Sequence, residues 1–184
     1  MGEVFTKKIA FVGSLSTGKT TVFNSLKAKF SGGDYIFIPE SAREILENRR
    51  IKGSEITEEI EYEMQDMNFI NELKAYEAKP KFILCDRSVI DPVVYALAEG
   101  DTDRADRLLA RMRHWLQTYH QFILFDKEGI PYKQDEFRDE DYKYRDKVHD
   151  SFIDFFSSLN IPYVVAAGDS ENRTDFIERL LAEK

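Results

Sequence analysis

One stretch, Gly13-Ser14-Leu15-Ser16-Thr17-Gly18-Lys19-Thr20, constrains this chain more than any other. It satisfies G-x-x-x-x-G-K-[ST], the spacing of a phosphate-binding loop, a pattern that carries weight when it joins a strand to a helix. Both flanks are present. Lys8-Ile9-Ala10-Phe11-Val12 is a short apolar run that reads as a buried strand. Over residues 20–30, Val22, Phe23, Leu26 and Phe30 recur at helical spacing. Each residue type has a physical reason. Gly13 and Gly18 let the backbone turn tightly and approach a phosphate with no side chain in the way. Successive N–H groups then face the anion, and the helix N-terminus adds partial positive charge. Lys19 is expected to reach the β- and γ-phosphates, and the Thr20 hydroxyl to ligate Mg²⁺. Gly13, Ser14, Ser16, Thr17, Gly18, Lys19, Thr20 and Thr21 are thus the expected triphosphate-binding residues.

The remaining chain alternates short apolar runs with helical periodicity. Strands are expected at 35–38, closed by Pro39, and at 82–85, 122–125 and 161–166. A capping box, Ser41 with Glu44, opens a helix over 41–50. A long helix over 57–79 places Ile60, Met64, Met67, Ile70 and Leu73 along one face, which reads as core. Asp91-Pro92 reads as an N-cap with proline at the first helical position, opening a helix to 99. Further helices are expected at 104–119, 141–159 and 174–183. This alternation predicts an α/β fold with a parallel sheet covered on both faces. At 184 residues the chain reads as one domain. Ligands of such sheets sit beyond the carboxyl ends of the strands. That rule places the glycine-rich loop, Glu40, Asp86 and Asp126 on one rim.

Charged residues at that rim are the candidates for chemistry. Glu40 and Arg43 follow the second strand at a helix start. Glu40 can take the proton of an attacking hydroxyl or hold an acceptor's hydroxyls, and Arg43 can steady a phosphate or orient Glu40. Asp86 and Arg87 follow the third strand. Asp86 can hold Mg²⁺ through water or act as base, and Arg87 can bind the acceptor or the moving phosphoryl group. The segment 127–141 is dense in charge, contains Gly129 and Pro131, and reads as a mobile loop. Arg138 in that loop is the expected arginine that neutralises charge on the γ-phosphoryl oxygens, ahead of Lys133 and Arg145. Arg145 is four residues from Asp141 on a helix, which a surface ion pair explains. His114, His120 and His149 lack metal-ligand spacing. Trp115 and the phenylalanines read as core.

Composition excludes several classes. A net charge of −8 argues against a general nucleic-acid coat, though one local basic cleft would suffice for a nucleic-acid substrate. The single Cys85 rules out a disulfide framework and makes a reducing cytosol the expected setting. No apolar stretch approaches the roughly 20 residues of a membrane span, and no secretory signal is expected. Met1-Gly2-Glu3-Val4-Phe5-Thr6 formally fits a myristoylation pattern but reads more simply as a lead-in to the first strand.

The chain resembles the AAA-like P-loop domain found as the nicotinamide riboside kinase part of bacterial NadR proteins. The resemblance is carried by FVGSLSTGKTT (11–21), PESAREI (39–45), FILCDRSVIDPVVYA (82–96) and YKQDEFR (132–138). LNIPYVV (159–165) and DSENRTDF (169–176) fit more loosely. Asp86-Arg87-Ser88 is also similar to an element of thymidylate and deoxynucleoside kinases. The resemblance implies a three-layer P-loop NTPase fold with five parallel strands in the order 2-3-1-4-5 and an arginine-bearing lid at about 127–141. It also implies ATP, Mg²⁺ and phosphoryl transfer to a hydroxyl or phosphate of a small nucleoside-like molecule. Two alternatives stand beside this. One is a kinase acting on a nucleic-acid or modified-base hydroxyl. The other is an ATP-binding switch, its GTP version disfavoured because Asn-Lys-x-Asp is absent. Glu40 and Asp86 are rival bases in the kinase reading, and the residues set no oligomeric state.

Overall fold

The first strand, β1 (Lys7–Val12), shows how the layers form. The structure is a computed structural model that describes residues 5–30, 32–132 and 142–182. Successive strand side chains point to opposite faces, and both faces of β1 are buried. Ile9 and Phe11 join a core with Val22, Phe23 and Leu26 of α1 (Lys19–Lys29) and Ile177 and Leu181 of α7 (Ser170–Ala182). Ala10 and Val12 join a second core on the other face. It includes Val93 and Val94 of α4 (Asp91–Glu99), Leu108 of α5 (Thr102–Met112) and Phe152 of α6 (Tyr142–Ser158). The remaining strands are β2 (Tyr35–Ile38), β3 (Phe82–Asp86), β4 (Gln121–Phe125) and β5 (Tyr163–Ala166). Their order is β2-β3-β1-β4-β5 with every pair parallel, the expected three-layer α/β arrangement.

Register decides what the rim holds. Phe11 lies opposite Asp86, and Ile38 opposite Cys85. The three strand ends therefore finish nearly level, and Gly13, Glu40 and Arg87 leave the sheet side by side. Outside β2 a small cluster of Ile45, Ile60 and Met64 joins α2 (Ser41–Arg49) to α3 (Glu58–Glu77). Among the described residues no helix is long and apolar enough to cross a membrane.

Several local expectations need correction. Ile60 and Met64 of the α3 stripe are buried, but Ile70 and Leu73 are each 46% exposed. The buried face of α3 turns instead onto Glu61, Gln65, Asn68 and Glu72, the last three of which satisfy polar groups that neighbouring elements bury. Gln65 Nε2 donates to the carbonyls of Val89 and Leu108, and Asn68 Nδ2 to that of Ser88. Glu72 accepts from buried Lys8 of β1 at 2.5 Å, and from Trp115 and Tyr119. Ser41 is the first residue of α2 rather than its cap, and its hydroxyl donates to Asn68 Oδ1. α5 ends at Met112 and continues as a 3₁₀ segment over Arg113–Thr118. α7 begins at Ser170, four residues ahead of the expected start.

Candidate functional site

The glycine-rich loop is shaped by close approach. Gly13 has φ +133°, and a Cβ there would lie 3.0 Å from the Phe125 carbonyl oxygen of β4. Gly18, at φ +80°, precedes α1. Lys19 is buried, and its Nζ donates to the carbonyls of Gly13 and Ser14 at 2.9 and 2.6 Å and to Thr17 Oγ1 at 3.1 Å. Burial, seconded by the Arg87 charge, pulls its pKa down to about 7. Among the described residues its hydrogen bonds go only to neutral oxygens, which an arriving anion can replace. Ser14 is fully buried, so its side chain stays behind the loop, while Ser16, Thr17, Gly18, Thr20 and Thr21 line the cleft in front of it.

Asp86 ends β3 beneath the loop and is buried. Its two oxygens make no hydrogen bond among the described residues. Burial pushes its pKa up to about 6 and the Glu40 charge adds to this, while Lys19 and the Thr20 hydroxyl offset part of it. A buried carboxylate with spare lone pairs beside a threonine hydroxyl is the hard-oxygen donor set that suits Mg²⁺.

Arg87 is the centre of the rim. Its Nε donates to Glu40 Oε1 at 2.6 Å and its Nη1 to Asp91 Oδ1 at 3.0 Å and Tyr95 Oη at 3.2 Å. All three charged side chains are at least nine-tenths buried. Asp91 is not an N-cap. It is the first residue of α4, and its other oxygen accepts from the Ser88 amide and hydroxyl. Sequence reasoning undervalued it, although its spacing of four from Arg87 was the available signal.

Two clefts meet at this cluster. One, about 1250 Å³ with its open mouth, is lined by the loop together with Asn24, Arg43, Ile130 and Pro131. The other, about 860 Å³, lies between α3 and α4 and is lined by Leu15, Met64, Asn68, Tyr95 and Tyr144 among others. Glu40 and Arg87 line both. Arg43 reaches only the first, and it pairs with Glu47 on the exposed face of α2. Arg138 and Lys133 lie outside the described residues, as does the Asp141 expected to pair with Arg145. Among the described residues, Arg145 Nη1 donates to the Ile130 carbonyl at 3.3 Å and its Nε lies 3.5 Å from Asp146 Oδ1.

Arg173 escaped the sequence reading. It is fully buried in the first turn of α7, and among the described residues it donates only to carbonyls: Thr17 at 2.5 Å, Gly168 at 2.7 Å, Glu128 at 2.8 Å and Asp126 at 3.0 Å. One guanidinium thus ties the loop to the ends of β4 and β5. Only the loose C-terminal likeness hinted at this position.

The sequence family described as an AAA domain matches residues 8–173. No curated protein matches the chain in sequence. Its fold is similar to that of a NadR protein solved with NAD and AMP-PNP, at TM-score 0.73 and 18% identity, over 98% of this chain and 51% of that one. The chain therefore spans about half the length of that NadR chain. It is similar to a deoxyadenosine kinase from M. mycoides at TM-score 0.68 and 14% identity, over 96% of this chain and 100% of that one. It is also similar to a thymidylate kinase from Candida albicans at TM-score 0.69 and 15% identity, over 96% and 91%. At these identities the likeness is one of fold.

Proposed function

The chain belongs to the AAA domain family, and from that premise we propose that it is a cytosolic ATP-dependent kinase of a small nucleoside-like acceptor. The observation that carries the proposal is the meeting of two clefts at Glu40 and Arg87. A triphosphate over residues 13–21 would point its γ-phosphoryl group at that junction, and an acceptor between α3 and α4 would present its hydroxyl from the other side. The acceptor oxygen then bonds to the γ-phosphorus as the bond to the bridging β–γ oxygen breaks and ADP leaves. The hydroxyl proton passes to Glu40, which faces the acceptor cleft, whereas Asp86 lies behind the loop. Arg87 holds Glu40 in place and faces the charge in transit. Lys19 exchanges the loop carbonyls for phosphate oxygens. Thr20 and Asp86 would hold Mg²⁺, which when bound neutralises charge on the phosphates. In this reading residues 127–141 are the lid of a single kinase domain, with Ile130 and Pro131 at its root and Arg138 supplying further positive charge. Catalysis of this kind is mostly positioning and electrostatics.

Nicotinamide riboside is one acceptor of this class, and γ-labelled ATP tests the proposal. The chain is incubated with nucleosides, nicotinamide riboside, nucleotides and oligonucleotides, with Lys19→Ala as the blank. The expected result is label on a nucleoside-like acceptor that the variant fails to transfer. Phosphate release with no labelled acceptor contradicts the kinase and favours a switch. Label on oligonucleotides alone moves the acceptor to nucleic acid.

A further inference from the structure

The cleft between α3 and α4 has a second polar centre, far from the junction. On α4, Asp91, Tyr95 and Glu99 line it one turn apart, so Glu99 lies roughly 12 Å along the axis from Asp91. On α3, Asn68 touches the Ser88 carbonyl beside Arg87, and Glu61 lies roughly 10 Å further along. α5 brings Arg104 to the same end. Glu61 Oε2 and Arg104 Nε stand 3.5 Å apart in the cleft wall. Both atoms are buried, and neither has a hydrogen-bond partner among the described residues. The Arg104 Nη2 donates to Glu99, and Tyr144 Oη donates to the other oxygen of Glu99. A buried acceptor and a buried donor thus stand side by side in the wall of the cavity.

Charge narrows what can complete them. The cleft wall carries four carboxylates, Glu40, Glu61, Asp91 and Glu99, against two guanidiniums, Arg87 and Arg104. Each guanidinium already bonds carboxylates, and among the described residues no lysine or histidine lines the wall. Burial pushes the Glu61 pKa up to about 7. Arg104 opposes this, and Glu99, Glu58 and Asp101 reinforce it. An acceptor that brings its own phosphate would meet net negative charge here, whereas an N–H donor or a cationic ring would relieve it.

We propose that Glu61 and Arg104 are specificity-determining residues that read the distal edge of the acceptor: a hydrogen-bond donor beside a hydrogen-bond acceptor, as in a carboxamide or an aminopyrimidine, on a molecule bearing no phosphate. This rests on the kinase reading above and narrows it to transfer onto a hydroxyl. The edge's N–H donates to Glu61 Oε2, and its carbonyl or ring nitrogen accepts from Arg104 Nε.

Matched acceptors test it. Transfer from γ-labelled ATP is measured with cytidine against pyrimidin-2-one riboside, which lacks the amino group, nicotinamide riboside against nicotinic acid riboside, and each nucleoside against its 5′-monophosphate. The amino- or amide-bearing member of at least one pair is expected to exceed its partner by at least about tenfold in kcat/KM, because a site built to hydrogen-bond a group rejects the analogue lacking it. Glu61→Gln should shrink that ratio by raising the acceptor KM, with the ATP KM within about twofold. Arg104→Lys, which keeps the charge but loses Nε, should shrink it too and gives a second reading should Glu61→Gln not fold. An unchanged ratio in the folded variants overturns the assignment while leaving the kinase intact, and so does a preference for pyrimidin-2-one riboside and nicotinic acid riboside. Preferred labelling of monophosphates overturns the charge argument. No label on any acceptor overturns the kinase reading itself.

Discussion

Arg87 holds its backbone at φ +82°, a region non-glycine residues rarely occupy. Such a residue persists only when its surroundings over-determine it, at a cost of about 1–3 kcal/mol. Here the Arg87 amide donates to the Phe11 carbonyl of β1 while the side chain is held by Glu40, Asp91 and Tyr95. The turn thereby aims a guanidinium at the junction of the clefts. Asp86-Arg87 was legible as rim residues from strand-end position alone. The partnership with Asp91 was not, because Asp91-Pro92 has a sufficient local explanation as a helix start. Glu61 was hidden similarly, as one carboxylate among many on an acidic helix. Its environment makes a prediction about pH. Its carboxyl binds protons more tightly when folded, near pH 7, than the ordinary value of 4.5. The native state therefore holds more protons than the unfolded one between those values, and stability falls as pH rises through that window. Glu61→Gln removes the titration, so its Tm relative to the parent should be more favourable near pH 8.5 than near pH 5. An equal Tm difference at both pH values would mean that Glu61 ionises freely in the fold.

Among the elements, the strand–loop–helix unit was readable because everything that defines it lies within about twenty consecutive residues. The five strands were readable as apolar runs between turn signals, and their ends were placed to within two residues. α3 was misread because periodicity counts apolar residues, whereas its buried face is polar wherever neighbouring elements bury carbonyls or Lys8. Arg173 is the sharper case. Thr17, one of its partners, lies 156 residues earlier in the chain, so no local pattern could reveal that α7 braces the phosphate-binding loop. Arg173→Ala would leave the buried Thr17 carbonyl without this donor, at about 1–3 kcal/mol, and strip the half-buried contacts to Gly168, Glu128 and Asp126 as well. Urea unfolding should show a loss of at least about 3 kcal/mol, and ATP affinity should fall more than acceptor affinity. A loss below about 1 kcal/mol would show that the brace is dispensable.

For the whole molecule, parallel strands ending level put the loop, Glu40, Asp86 and Arg87 on one rim, and the helices flanking β3 open a second cleft beside it. The rim followed from sequence because the rule for parallel sheets is general. The second cleft did not, since it depends on how α3, α4 and α5 pack across more than forty residues of separation. The account stands on donor and acceptor meeting between Glu40 and Arg87. A crystal structure of the chain with AMP-PNP, magnesium and the acceptor that takes label tests this directly. It should show the triphosphate over residues 13–21, with the acceptor hydroxyl between Glu40 and the γ-phosphorus. A nucleotide seated away from that loop, or an acceptor outside the cleft between α3 and α4, would contradict it.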